Sequence, residues 1–129
     1  MPYGINSEEW NAAVNAIQSI LSNRAKTMID KETITYTELY NQIMHLIKSS
    51  SLIGPEDHRF HHMLGDVSKA EHKAGRGMLT VLVVHKGGDL LPGGDFFTLA
   101  RELGYSVTNT DEFWIYMFKK VCVAWRKDI

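Results

Sequence analysis

The order in which hydrophobic period changes between Ser7 and Leu91 constrains this chain more than any single motif does. Trp10, Val14, Ile17 and Leu21 recur at helical spacing and form one stripe of a helix expected over about 8–27. Asn6, with Glu9 at capping-box spacing, and Ser7 compete to start it. The β-branched and aromatic run Thr33-Ile34-Thr35-Tyr36 predicts a brief strand. Thr35 and Glu38 repeat the T-x-x-E capping pattern, with Thr37 an alternative cap. Leu39, Ile43 and Leu46 or Ile47 follow, so a second helix is expected over about 38–48.

Gly54-Pro55 opens a third helix over about 56–74, because proline suits a first helical turn where its missing N–H costs nothing. Phe60, Leu64, Val67 and Glu71 share its buried stripe, and Gly75 and Gly77 close it. Met78 to His85 reads M-L-T-V-L-V-V-H, apolar at both parities, which predicts a strand covered on both faces. Gly87-Gly88 permits a tight hairpin, with Asp89 to Leu91 returning as a short third strand before Pro92. This order of elements is the wiring of a winged helix. It implies a small antiparallel sheet that pairs 33–36 with 78–85 and carries the hairpin as the wing.

Two further helices complete the chain. Asp95 can cap a short one that holds Phe96, Phe97, Leu99, Ala100 and Leu103, with Gly104 as its left-handed stop. The segment 91–97 is expected to be a turn that delivers Phe96 or Phe97 to the core. In the helix 111–126, Phe113 to Phe118 are consecutively apolar or aromatic. A helix without a polar stripe is buried or shared, so it is expected to cover 78–85, and a homodimer through 111–126 would supply its other contact. The expected fold class is α+β in a single domain, 1–129. A winged-helix-like core occupies about 8–91, and a C-terminal helical extension about 92–129.

At 129 residues the chain suits one domain, and no apolar run approaches the length that spans a bilayer. No secretory signal is visible at the start, and the single Cys122, flanked by Val121 and Val123, fits a buried thiol in a reducing compartment. A cytoplasmic address is therefore expected. Fourteen basic against fifteen acidic residues exclude a protein that coats nucleic acid by charge alone, so any such site must be a local patch. No cofactor motif is present.

The stretch E-T-I-T-Y-T-E-L at 32–39 resembles the opening of the DNA-binding domain of O6-alkylguanine alkyltransferases and alkyltransferase-like proteins. In that family a longer helix and a valine-rich strand follow, as 56–74 and 79–84 do here. No P-C-H-R or P-W-H-R segment precedes the valine strand. The resemblance therefore implies the winged-helix layout and not alkyl transfer. The segments A-E-H-K-A-G-R-G-M-L-T-V-L-V-V at 70–84 and L-P-G-G-D-F-F-T-L-A-R-E-L-G at 91–104 also look like uncharacterised bacterial proteins.

On a winged helix the third helix reads the nucleic-acid groove, which makes Arg59, His61, His62, Lys69, Lys73 and Arg76 candidate contacts, with Lys86 on the wing. Arg24 and Lys26 could add phosphate contacts. The expected function is a non-enzymatic module binding duplex DNA through these residues, with affinity that rises as imidazoles gain protons. An alternative is a protein-interaction or inhibitor module that uses the apolar C-terminal helix or the 91–97 loop. A third is a small metal-dependent hydrolase. His58 and His62 lie one turn apart with Asp66 extending their row, a spacing that can grip a metal ion. Separately, Glu71, His72 and His85 form a second candidate cluster, suited to general acid–base work if the ends of the third helix and the valine strand lie near each other. Glu71 is more simply a partner for Arg76.

Overall fold

The computed structural model describes residues 4–27, 33–47, 51–85 and 92–126. Its elements run α1 (Ser7–Lys26), β1 (Ile34–Thr35), α2 (Tyr36–Leu46), α3 (His58–Lys73), a 3-10 turn (Leu79–Leu82), β2 (Val83–Val84), α4 (Gly94–Glu102) and α5 (Thr110–Arg126). The described residues are thus mostly helical, with one two-stranded sheet among them. No helix among the described residues is long and apolar enough to cross a membrane.

Local chemistry explains most helix starts. Asn6 caps α1 by accepting from the Glu8 N–H at 2.7 Å, but the expected Asn6–Glu9 box does not form. Glu9 instead accepts the Ser51 N–H at 2.6 Å and ties α1 to the segment before α3. The Thr35–Glu38 box on α2 is complete: the Thr35 hydroxyl accepts from Glu38 N–H, and the Glu38 carboxylate accepts from Thr35 N–H. Thr35→Ala is therefore expected to lower stability by about 1 kcal/mol, and Thr35→Ser to preserve it, in urea unfolding followed by tryptophan fluorescence. Pro55 lies in a turn and not in the helix, and α3 starts after Asp57, whose side chain accepts from Arg59 N–H at 3.0 Å. Likewise Gly93, not Asp95, is the N-cap of α4. Gly104, with φ +98°, ends that helix as expected: the Gly104 N–H bonds to Arg101 and the Tyr105 N–H to Ala100.

The segment 78–85 departs from the expected strand. Only Val83 and Val84 pair as a strand, and Leu79–Leu82 forms a 3-10 turn. Side chains replace the missing strand partners: Met78 N–H donates to Met117 Sδ at 3.2 Å, and Thr80 N–H to Ser68 Oγ at 3.2 Å. The Val81 carbonyl accepts from Trp114 Nε1 at 3.0 Å. With backbone groups met by neighbouring helices, the segment needs no ladder. Apolar residues at both parities reflect enclosure by α1, α3 and α5.

The sheet is parallel, not antiparallel: Ile34 pairs with Val83 and Thr35 with Val84. The path through α2 and α3 returns the chain to the same end of the sheet, which is what a parallel pair requires. The hairpin at 87–88, the third strand 89–91 and Lys86 lie outside the described residues.

The last helix covers the 3-10 turn, as its composition predicts. Phe113, Met117, Val121 and Cys122 are buried, and α5 also packs on α1. Its apolar run does not bury all round, because Ile115 is 49% and Tyr116 52% exposed. Phe96 and Phe97 both enter the core, so the described part of the 91–97 segment shows no exposed aromatic.

Candidate nucleic-acid interface

The pattern that builds α3 also sorts its charges. Phe60, Met63, Leu64, Val67, Ser68 and Glu71 turn inward, leaving His58, His62, Asp66, Lys69 and Lys73 exposed. Because α4 packs beside α3, a groove of about 260 Å³ opens between them. Three histidines, His58, His61 and His62, and Lys69 line one wall; Asp95, Leu99 and Glu102 line the other. The structure thus gathers four of the sequence-predicted residues at one place. It sets two carboxylates opposite them.

Next to this groove the start of α2, the end of β2 and the start of α4 converge on Tyr36. The Tyr36 ring lies 5.2 Å from that of His61 and 4.9 Å from that of His85, centroid to centroid. Its Oη accepts the Gly93 N–H at 2.9 Å. Burial pushes the phenol up from its ordinary range, the Gly93 N–H pulls it partly back, and the charge of Asp95 adds to the rise. A Cβ on Gly93 would sit 3.1 Å from His85 Nε2, so glycine permits this approach. Sequence reasoning missed Tyr36 and Gly93 in this role, since only a contact over 57 residues reveals it.

Both arginines predicted as contacts are engaged inside the fold. Arg59 donates to Asp57 through Nε at 3.0 Å and Nη2 at 2.7 Å, and to the Ser51 carbonyl at 2.9 Å. The side-chain bond from Arg59 holds the Asp57 carboxyl far below the usual carboxylate range, against the opposing effect of burial. Arg76 grips Glu71 in a fork, Nε to Oε1 at 2.9 Å and Nη2 to Oε2 at 2.6 Å, the pairing that the sequence suggests. Its guanidinium carbon also lies 5.0 Å from the Trp125 ring centroid. Arg24 donates to the Thr33 carbonyl at 2.9 Å, and the Lys26 ammonium lies 5.1 Å from the Trp125 ring centroid.

The acid–base group does not assemble. Glu71 is bound to Arg76, and His72 Nδ1 is 2.9 Å from Tyr105 Oη. His85 stands against Tyr36, whose ring also meets His61, and His61 precedes Glu71 by ten residues of α3, about 15 Å of helix. The row of His58, His62 and Asp66 is not a ligand set either. The two imidazoles meet edge to face with centroids 6.2 Å apart, and Asp66 accepts Trp10 Nε1 at 2.9 Å. Among the described residues no group of three His, Cys, Asp or Glu is placed to hold a metal ion. Comparison with known proteins finds no family model, no curated protein and no solved structure that matches this chain.

Proposed function

We propose that this chain is a non-enzymatic, winged-helix-like module that binds duplex nucleic acid through the exposed side of α3, with imidazoles as its main switchable charges. The observation that carries this reading is the wall of His58, His61, His62 and Lys69 along one groove, with Lys73 exposed farther along the helix. Arg59 and Arg76 leave the contact set and become structural. On this face Lys69 and Lys73 are outnumbered by Asp66, Asp95 and Glu102 while the imidazoles are neutral. Protons on the three histidines reverse the sign. Tyr36 lies next to the groove against His61, and His85 packs on the Tyr36 ring.

Binding is therefore expected to strengthen at least tenfold between about pH 7.5 and pH 6, the interval in which imidazoles as a class take up protons. Fluorescence anisotropy with a labelled duplex measures it. Each phosphate neutralised contributes about −0.9 to the log–log salt slope, so a slope near −2 from the lysines at the higher pH should steepen towards about −4 at the lower. His58→Gln with His62→Gln should flatten the pH response and leave the lysine slope. An unchanged slope across this interval overturns the imidazole-led reading, and no binding at the lower pH and low salt overturns nucleic-acid binding itself.

A second reading, protein docking through α5, has its own observation: Tyr116 and Val123 stand exposed on one side of that helix.

A further inference from the structure

We infer that the open groove between the end of α3 and the outer face of α5 is a docking surface for an acidic peptide segment that carries an apolar side chain. The inference deepens the docking reading of α5 and is independent of nucleic-acid binding at the α3–α4 groove. The hollow measures about 640 Å³ and is floored by Ala74, Gly75 and Ala124. Tyr116, Lys119, Lys120 and Val123 line it from α5, and Arg76 closes it from the turn after α3. Spacings of three, four and seven place these α5 residues on one helical face, so apolar and cationic groups are presented together.

The chemistry selects the occupant. Val123 is 69% exposed and Tyr116 52%, so apolar surface awaits a cover that a phosphate backbone cannot give. Lys119 and Lys120 line the groove as its available cations, the charge of Arg76 being matched by Glu71, and no carboxylate stands among its described lining residues. Glu71, under Arg76, is buried and already satisfied by that arginine. Glu112 lies one turn before Tyr116 and lines an adjoining hollow on the far side of that ring, with Tyr105. A second copy of this chain fits poorly, because a two-fold contact sets each patch against itself and so gathers Lys119 and Lys120 of both copies in one interface without a carboxylate from the patch to offset them. An amphipathic segment with carboxylates flanking a leucine or phenylalanine meets both demands, in the helix-in-groove manner.

The test uses the full chain and a fluorescein-labelled synthetic peptide of about 14 residues, helical by design, with one apolar stripe flanked by glutamates. Two controls accompany it: the same peptide with lysines for glutamates, and one with serines for the apolar stripe. Saturable anisotropy with the acidic peptide alone is expected. Lys119→Glu should weaken it about tenfold and Val123→Ser about fivefold, each with an unchanged melting temperature. Lys120→Glu should act like Lys119→Glu, and the more exposed Lys119 keeps the test decisive if the half-buried Lys120 variant folds badly. No binding at millimolar peptide overturns the inference. Equal binding of the lysine peptide, sensitive to Val123→Ser, overturns the acidic partner while α5 docking stands. Loss with Lys119→Glu but not with Val123→Ser, together with displacement by duplex DNA, assigns the patch to phosphate instead. A dimer in light scattering that Val123→Glu dissolves assigns it to a second copy.

Discussion

Arg76→Ala is expected to cost about 2–3 kcal/mol of folding free energy, a large share of a domain's typical ~5–15. The cost falls on its partner. The Glu71 side chain is 4% exposed and the fork from Arg76 satisfies both of its oxygens, so removal of the guanidinium strands a carboxylate out of water. Breaking a fully buried pair costs about 3–5 kcal/mol, and the 40% exposure of the Arg76 side chain discounts that figure, because water already screens one member. Loss of the contact with the Trp125 ring adds about 0.5–1 kcal/mol. Glu71→Gln should be milder, since the freed guanidinium can turn into solvent. The asymmetry between these two substitutions is the signature of a buried acid held by a half-exposed base. Urea unfolding of the parent, Arg76→Ala and Glu71→Gln at neutral pH measures it. Equal losses for the two substitutions overturn this account of Glu71.

The Arg76–Glu71 pair was legible from spacing, whereas the ends of the 3-10 turn it borders were not. The contrast has a physical basis. Thr35 with Glu38, Gly104 after α4, and the histidines of α3 are written within a turn or two of chain, so periodicity and cap chemistry find them. The string of apolar residues from Met78 to Val84 records only that the segment is enclosed. Whether it is a strand or a 3-10 turn depends on Ser68, Trp114 and Met117, which supply its hydrogen bonds from α3 and α5. The parallel sense of Ile34 and Val83 likewise depends on the path of α2 and α3, not on the paired residues. At the candidate interface the α3 wall could be read, while Asp95, Glu102, Tyr36 and Gly93 enter through tertiary packing. Arg59 looks like a free cation in sequence because its partner Asp57 also reads as an ordinary loop acid. The fork between them is visible only once Ile53 N–H and Ser51 O are drawn into the same network.

Gly77→Ala is expected to be the most damaging single-methyl change in this turn, at about 2–5 kcal/mol, because two separate costs coincide. The backbone of Gly77 has φ +86°, a left-handed conformation that costs an L residue about 1–2 kcal/mol. A Cβ there would also sit 3.1 Å from Met117 Sδ, 3.2 Å from Val121 Cγ2 and 3.3 Å from Lys120 Cδ. Crowding of that kind in a packed interior costs about 1–3 kcal/mol more. Met117 is fully buried and accepts the Met78 N–H, so it cannot yield without disturbing the turn that Trp114 closes through Val81. Gly75 separates the two costs. Its φ of +80° carries the same strain, but nothing lies within 4 Å of its added Cβ. Gly75→Ala should therefore lose only about 1–2 kcal/mol, and Gly75→Asn less again, since asparagine tolerates the left-handed region. If α5 presses on this turn as described, Gly77→Ala will also move the tryptophan emission of the folded state, and Gly75→Ala will not. Equal losses at the two glycines, with no change in emission, would mean that α5 leaves room for the methyl group and that backbone strain alone sets the cost.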